Sequence, residues 1–139
     1  MTLRARVLVA EDSPAVARQL RRLLSDAFDV VAVVADGLSL LRVAREATPD
    51  VLVTDIGMPG MDGLQAAETL AAEGARCRFV FITVHDERAL VQRAQRLGPC
   101  GYVLKAQAGE DLVAAVQAVL AGRAYLSPAL RHELSPTSR

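Results

Sequence analysis

Short, unbroken apolar runs are the feature that most constrains this chain. VLVA at Val7 to Ala10, VVAVV at Val30 to Val34, VLVT at Val51 to Thr54 and FVFIT at Phe79 to Thr83 are joined by a shorter YVL at Tyr102 to Leu104. Runs of this length, rich in β-branched residues and free of charge, suit strands buried on both faces, as in a parallel sheet. Longer stretches of helical periodicity separate them. The first covers Ala15 to Ala27, where Val16, Leu20, Leu23 and Leu24 recur and Pro14 is placed as the first helical residue. Leu38, Leu41, Val43 and Ala44 mark a second helix up to about Ala47, and Leu64 to Ala72 a third, behind a loop bearing Gly and Pro. Ala89 to Leu97 is the fourth, ended near Gly98 and Pro99, and Asp111 to Ala121 the last, closed by Gly122.

Five such strand–helix repeats predict an α/β fold, a doubly wound (βα)5 sandwich of three layers. Right-handed crossovers and this size favour a five-stranded parallel sheet of order 2-1-3-4-5, flavodoxin-like, with its crevice at the carboxyl ends of the strands. A chain of 139 residues is one ordinary domain. From Arg123 to Arg139 the pattern weakens to two prolines, three serines and one short amphipathic piece, Ala129 to Leu134. That stretch reads as a tail or the start of a linker, so the domain is expected over residues 1–122.

Composition narrows the function. Hydrophobic residues at 52% and charged residues at 23% are globular values. No apolar run approaches the roughly 18 residues a membrane span needs, and MTLRARVLVAEDS lacks the apolar stretch and cleavage site of a signal peptide, so a cytoplasmic protein is expected. Sixteen basic residues balance sixteen acidic ones, which argues against nucleic-acid contact by this domain. Cys77 and Cys100 make neither a disulfide scaffold nor a metal site and suit a reducing compartment.

In a sheet of this kind the chemistry belongs just after each strand. Glu11 and Asp12 follow the first, the third runs into Asp55, the fourth ends at Thr83, and the fifth leads to Lys105, the one lysine among sixteen basic residues. Each has an ordinary explanation alone: Asp12 or Ser13 as a helix cap, Thr83 as a strand former, Lys105 as a solvated surface charge. Asp55 is harder to dismiss, because an apolar strand runs straight into it. Clustered carboxylates repel unless a cation lies between them, and an oxygen-only set favours Mg²⁺. A lysine and a hydroxyl beside them suit phosphoryl oxygens, with Asp55 as the nucleophile. The loop GMPGMDG, Gly57 to Gly63, leaves the neighbouring backbone free of bulky side chains.

The segments VLVAEDSPAV, VLVTDIGMPGMDGLQAA, FVFITVHD and GYVLKA, in this order over residues 5–122, resemble the response-regulator receiver domain of the CheY-like superfamily. The pattern DxxMPGMDG at Asp55 to Gly63 is its most specific part. The resemblance implies a phosphoacceptor at Asp55 and Mg²⁺ held by Glu11, Asp12, Asp55 and the backbone carbonyl of Gly57. It implies a switch hydroxyl at Thr83, a phosphoryl-pairing lysine at Lys105 and a switch aromatic at Tyr102, for which a half-buried strand tyrosine is the plain alternative. GYVLKA and VLAGRAYLSPAL resemble the NarL/FixJ subfamily, whose receivers precede a LuxR-type helix-turn-helix domain. That finer resemblance implies a sensor histidine kinase as donor, phosphorylation-dependent homodimerisation and a DNA-binding output domain beyond these residues. The chain ends at Arg139, where such a linker would be starting. It is expected to be the receiver of a longer protein, the alternative being a stand-alone regulator acting through protein–protein contacts.

Other readings fit less well. A hydrolase with an aspartyl-phosphate intermediate commonly places a second aspartate two residues after the nucleophile, where this chain has Gly57. A flavodoxin-like cofactor binder needs a Ser/Thr/Gly-rich loop after the first strand, where Glu11 and Asp12 would repel phosphate. A receiver that binds partners without phosphorylation would not need all five strand-end residues. Gly57 and His85 flank the expected path of an attacking water and are candidates for tuning phosphoryl lifetime, with neutral loop residues as the alternative. Arg18, Arg21 and Arg22 on the first helix read as a solvated face, the alternative being a kinase-docking or dimer surface, and His132 near the end reads as exposed.

Overall fold

The computed structural model describes residues 4–58, 60–84 and 88–128. His85, His132 and the amphipathic piece expected over 129–134 lie outside the described residues. Strands β1 (Arg6–Ala10), β2 (Asp29–Val34), β3 (Val51–Asp55), β4 (Arg78–Thr83) and β5 (Gly101–Leu104) alternate with helices α1 (Pro14–Ser25), α2 (Gly37–Ala47), α3 (Gly63–Ala72), α4 (Arg88–Gln95) and α5 (Ala108–Leu120). The strands pair in parallel in the order β2-β1-β3-β4-β5, as the apolar runs predict.

A small extra strand joins this order. The sheet has six strands, because Tyr125–Leu126 (β6) adds in parallel to the outer edge of β5. The stretch from Arg123, read from the sequence as a tail or the start of a linker, thus contributes Tyr125–Leu126 to the sheet. Two residues are too short to show any periodicity, whereas the exposed edge of β5 offers backbone groups that must be satisfied. Gly122, at φ +80°, takes the left-handed turn that ends α5, and the amide of Arg123 closes it on the carbonyl of Ala118 at 2.8 Å.

The period of two in the strands divides the core into two layers. Val7, Val9, Val51, Val53, Val80, Ile82 and Val103 face α1 and α5. Leu8, Ala10, Leu52, Phe79, Phe81 and Tyr102 face α2, α3 and α4. The strands β1, β3 and β4 are therefore buried on both faces, while β2, on the edge, is half-buried.

Helix starts follow their caps. Ser13 caps α1, its hydroxyl accepting from the amide of Val16, with Pro14 in the first turn. Asp36 caps α2 through the amide of Ser39, and Asp62 forms a capping box with Gln65 at the start of α3. Since Ser13 performs the cap at α1, Asp12 is left to the strand-end crevice.

Candidate functional site

Parallel strands all end on one side of the sheet, so β1, β3, β4 and β5 deliver Glu11, Asp12, Asp55, Thr83 and Lys105 to a single crevice. Asp55 is the last residue of β3 and is buried. Its Oδ1 accepts the amide of Gly57 at 3.0 Å and its Oδ2 accepts the Lys105 ammonium at 2.9 Å. Both oxygens are thereby oriented before any ligand arrives.

Lys105 opens a 3-10 turn over Lys105–Gln107, directly after β5. Its Nζ also lies 2.9 Å from Glu11 Oε1. That approach is off the hydrogen-bonding axis, so it is an ion pair without a well-aligned donor on Oε1. The other oxygen of Glu11 accepts the amide of Ser13 at 3.0 Å. Burial pushes the Glu11 carboxyl above its ordinary range, against the pull of the Ser13 amide and Lys105, and the Asp55 charge adds to the rise. Burial pulls the Lys105 ammonium down, but its pairing with the Asp55 and Glu11 carboxylates outweighs that, and its pKa is raised.

Ligand oxygens of Glu11, Asp12 and Asp55 lie within 4.8 Å of one another. Glu11 is 2% exposed, whereas Asp12 is open to solvent. Three carboxylates against one ammonium leave a concentration of negative charge, and an oxygen-only donor set suits a hard divalent cation. The residues present therefore fit Mg²⁺.

A cleft of about 390 Å³ opens over Asp12, Asp55, Gly57, Thr83 and Lys105, with Ile56, Val84 and Leu90 on its apolar walls. A larger cavity, about 620 Å³, lies at the opposite end of the sheet over Thr48, Asp50 and Arg76, and brings together none of the strand-end residues. Thr83 is buried in the wall of the cleft, opposite Leu104 in the β4–β5 register. Tyr102 is 2% exposed, so the plain alternative of a half-buried tyrosine is not what the structure has: its ring already packs in the core layer facing α4. Gly57 touches the site through its N–H.

Two positions escape sequence reasoning. Gly63 packs directly under the site: a Cβ there would stand 2.2 Å from the carbonyl oxygen of Asp55 and 2.4 Å from Thr54 Oγ1. The amide of Gly63 also donates to the carbonyl of Ile56 at 3.1 Å. The Ser13 amide that holds Glu11 is the other, since a backbone donor leaves no mark on composition. Away from the site, burial pushes the Cys100 thiol up to about 11 and the Cys77 thiol up as well, so both stay protonated at neutral pH.

Residues 7–117 match the family model of the response regulator receiver domain. The chain belongs to the response regulator receiver family. This receiver is 34% identical over 132 residues to the response regulator GacA of Pseudomonas aeruginosa, covering 94% of this chain and 62% of that protein. It thus spans less than two thirds of that curated relative. Among solved structures, it is similar to a LuxR-family two-component response regulator from Aurantimonas sp. SI85-9A1, at TM-score 0.89 and 34% identity, covering 95% of this chain and 96% of the other. It is also similar to the signal receiver domain of the putative response regulator NarL from Mycobacterium tuberculosis, at TM-score 0.83 and 34% identity, covering 88% of this chain and all of that one. No helix among the described residues is long and apolar enough to cross a membrane.

Proposed function

We propose that this receiver is a phosphorylation-controlled switch whose acceptor is Asp55. The observation that carries the reading is the Asp55 carboxylate itself: held at the end of β3 by the Gly57 amide and the Lys105 ammonium, beside Glu11 and Asp12. A structural aspartate needs a donor, but it does not need two further carboxylates beside it.

A lone pair of an Asp55 carboxylate oxygen attacks the phosphorus of a phosphohistidine on a sensor histidine kinase, or of a small acyl phosphate. The P–N or P–O bond of the donor breaks, its electron pair leaves with the imidazole, which takes up a proton, or with the carboxylate. An aspartyl phosphate results, and water attacking the same phosphorus later returns inorganic phosphate and the free carboxylate. Glu11, Asp12, Asp55 and the Gly57 carbonyl would hold Mg²⁺, which would neutralise charge on the phosphoryl oxygens. Lys105 exchanges part of its contact with Asp55 for a phosphoryl oxygen, and the Thr83 hydroxyl donates to another. Tyr102, on β5 beside β4, responds to that movement of Thr83.

The energy suffices. Inverting a 1:99 equilibrium takes about 5.5 kcal/mol of differential interaction, and charge-assisted hydrogen bonds are worth about 1.5–3 kcal/mol each. The product is a conformation and not a metabolite. Its readout is receiver homodimerisation and control of a LuxR-type DNA-binding output joined beyond these residues, hence of transcription in the cytoplasm. Similarity to GacA and to LuxR-family regulators supports this.

Beryllofluoride, a phosphoryl mimic that binds an aspartate carboxylate without a covalent step, tests the reading. Fluorine NMR should show a bound signal that requires Mg²⁺ and is absent in Asp55→Asn. A Mg²⁺-independent signal, or one that survives in the variant, contradicts it.

A further inference from the structure

The chain after α5 is tied to β5 by more than strand pairing. The amides of Tyr125 and Ser127 donate to the carbonyls of Cys100 and Tyr102 at 3.1 and 3.0 Å. The Ser127 hydroxyl then accepts the amide of Leu104 at 3.2 Å and donates to Asp111 Oδ2 at 2.8 Å. The phenol of Tyr125 donates to Asp111 Oδ1 at 2.8 Å. Ser127 is 0% exposed and Asp111 6%, so a buried carboxylate on α5 is held by two hydroxyls from the β6 segment. Closing a sheet edge does not need a buried charge; apolar side chains would serve at lower desolvation cost.

The place where this network ends is informative. Leu104 is the last residue of β5, and the next residue is Lys105, whose ammonium bridges Asp55 and Glu11. A polar chain therefore runs from Asp111 through Ser127 to the Leu104 amide, one peptide from the lysine. The same serine holds the carbonyl of Tyr102. The lysine stem is long and flexible, so where its ammonium can reach depends on where the end of β5 is held.

We propose that Asp111 and Ser127 are positioning residues for Lys105, and that the β6 segment and the Asp55 site are coupled through the end of β5. This rests on Asp55 being the phosphoacceptor. A phosphoryl group that draws Lys105 inward pulls on the Leu104 amide, and the pull reaches Ser127 and Asp111. Binding couplings are reciprocal, so the contacts of residues 125–127 must alter affinity at Asp55 by the same factor.

The test uses the full chain, with beryllofluoride and saturating Mg²⁺ as the probe. In the wild type, hydrogen exchange at the amides of residues 104 and 125–127 should change on binding. Ser127→Ala should bind beryllofluoride about fivefold more weakly at saturating Mg²⁺, the loss expected for the one hydrogen bond to the Leu104 amide. A role confined to stability would lower the melting temperature but leave beryllofluoride affinity intact. Tyr125→Phe, which removes one bond to Asp111 and little volume, makes the same comparison should Ser127→Ala fail to fold. Unchanged affinity, or exchange at 125–127 that ignores the probe, overturns the coupling while leaving Asp55 as acceptor. A wild type that does not bind beryllofluoride overturns both.

Discussion

Gly57 and Gly63 bracket the same loop but answer to different constraints. A Cβ at Gly63 would collide with the backbone of Asp55 and the side chain of Thr54, and neither can retreat without moving the end of β3. At Gly57 the nearest atom to such a Cβ is Asp55 Oδ1, 4.0 Å away. Gly63→Ala should therefore cost about 2 kcal/mol by overpacking. Gly57→Ala should leave stability unchanged or raise it by about 0.5 kcal/mol, because the unfolded chain loses freedom. Urea denaturation of the two variants checks this, and equal losses would contradict it. Sequence alone makes both glycines part of one permissive loop, since the collision partner of Gly63 lies eight residues back along the chain and appears only once α3 docks on β3. The strand-end residues are legible for the opposite reason: an apolar run that stops at an acid, a hydroxyl or a lysine places that residue in the crevice whatever the loops do. Tyr102 falls between, because alternation in a three-residue run does not say how deeply its ring is buried.

At the scale of elements, α3 and α4 are tied by Glu68 and Arg93, a two-pronged pair at 2.8 and 2.5 Å whose side chains are each 36% exposed. The guanidinium bond holds the Glu68 carboxyl below its ordinary 4.5, against the opposing effect of burial. A carboxyl whose folded pKa is depressed adds stability above its unfolded pKa and loses it as pH falls through the folded value. Glu68→Gln should thus cost roughly 0.5 kcal/mol at neutral pH, as for a partly exposed pair. The difference should shrink as pH falls below 4.5 and vanish only below the depressed pKa of the folded state; a gap that persists in acid would mean packing, not charge, is what the substitution removes. The elements themselves are mostly readable, with β1 to β5 and all five helices falling within a few residues of the sequence expectation. β6 is not, because its stability comes from a strand edge and from Asp111, fourteen residues before Tyr125, and neither leaves a periodic signal.

For the whole molecule, the crevice sets a balance between folding and function. Glu11, Asp12 and Asp55 lie close together with Lys105 paired to Glu11 and Asp55, so the site costs stability until further positive charge arrives. Mg²⁺ at about one hundred times its dissociation constant should stabilise the receiver by about 2.7 kcal/mol. Asp12→Asn, at an exposed position, should raise the stability of the metal-free protein slightly and abolish most of that gain. Thermal denaturation across a Mg²⁺ titration reads both effects, and a variant that keeps the full gain would remove Asp12 from the metal set.

Phosphoryl transfer to Asp55 leaves a covalent mark, which tandem mass spectrometry reads after incubation with acetyl phosphate, with and without Mg²⁺. One phosphoryl group should form, dependent on Mg²⁺, located on Asp55 and missing in Asp55→Asn. A phosphoryl group found on another residue, or one retained by Asp55→Asn, would contradict it.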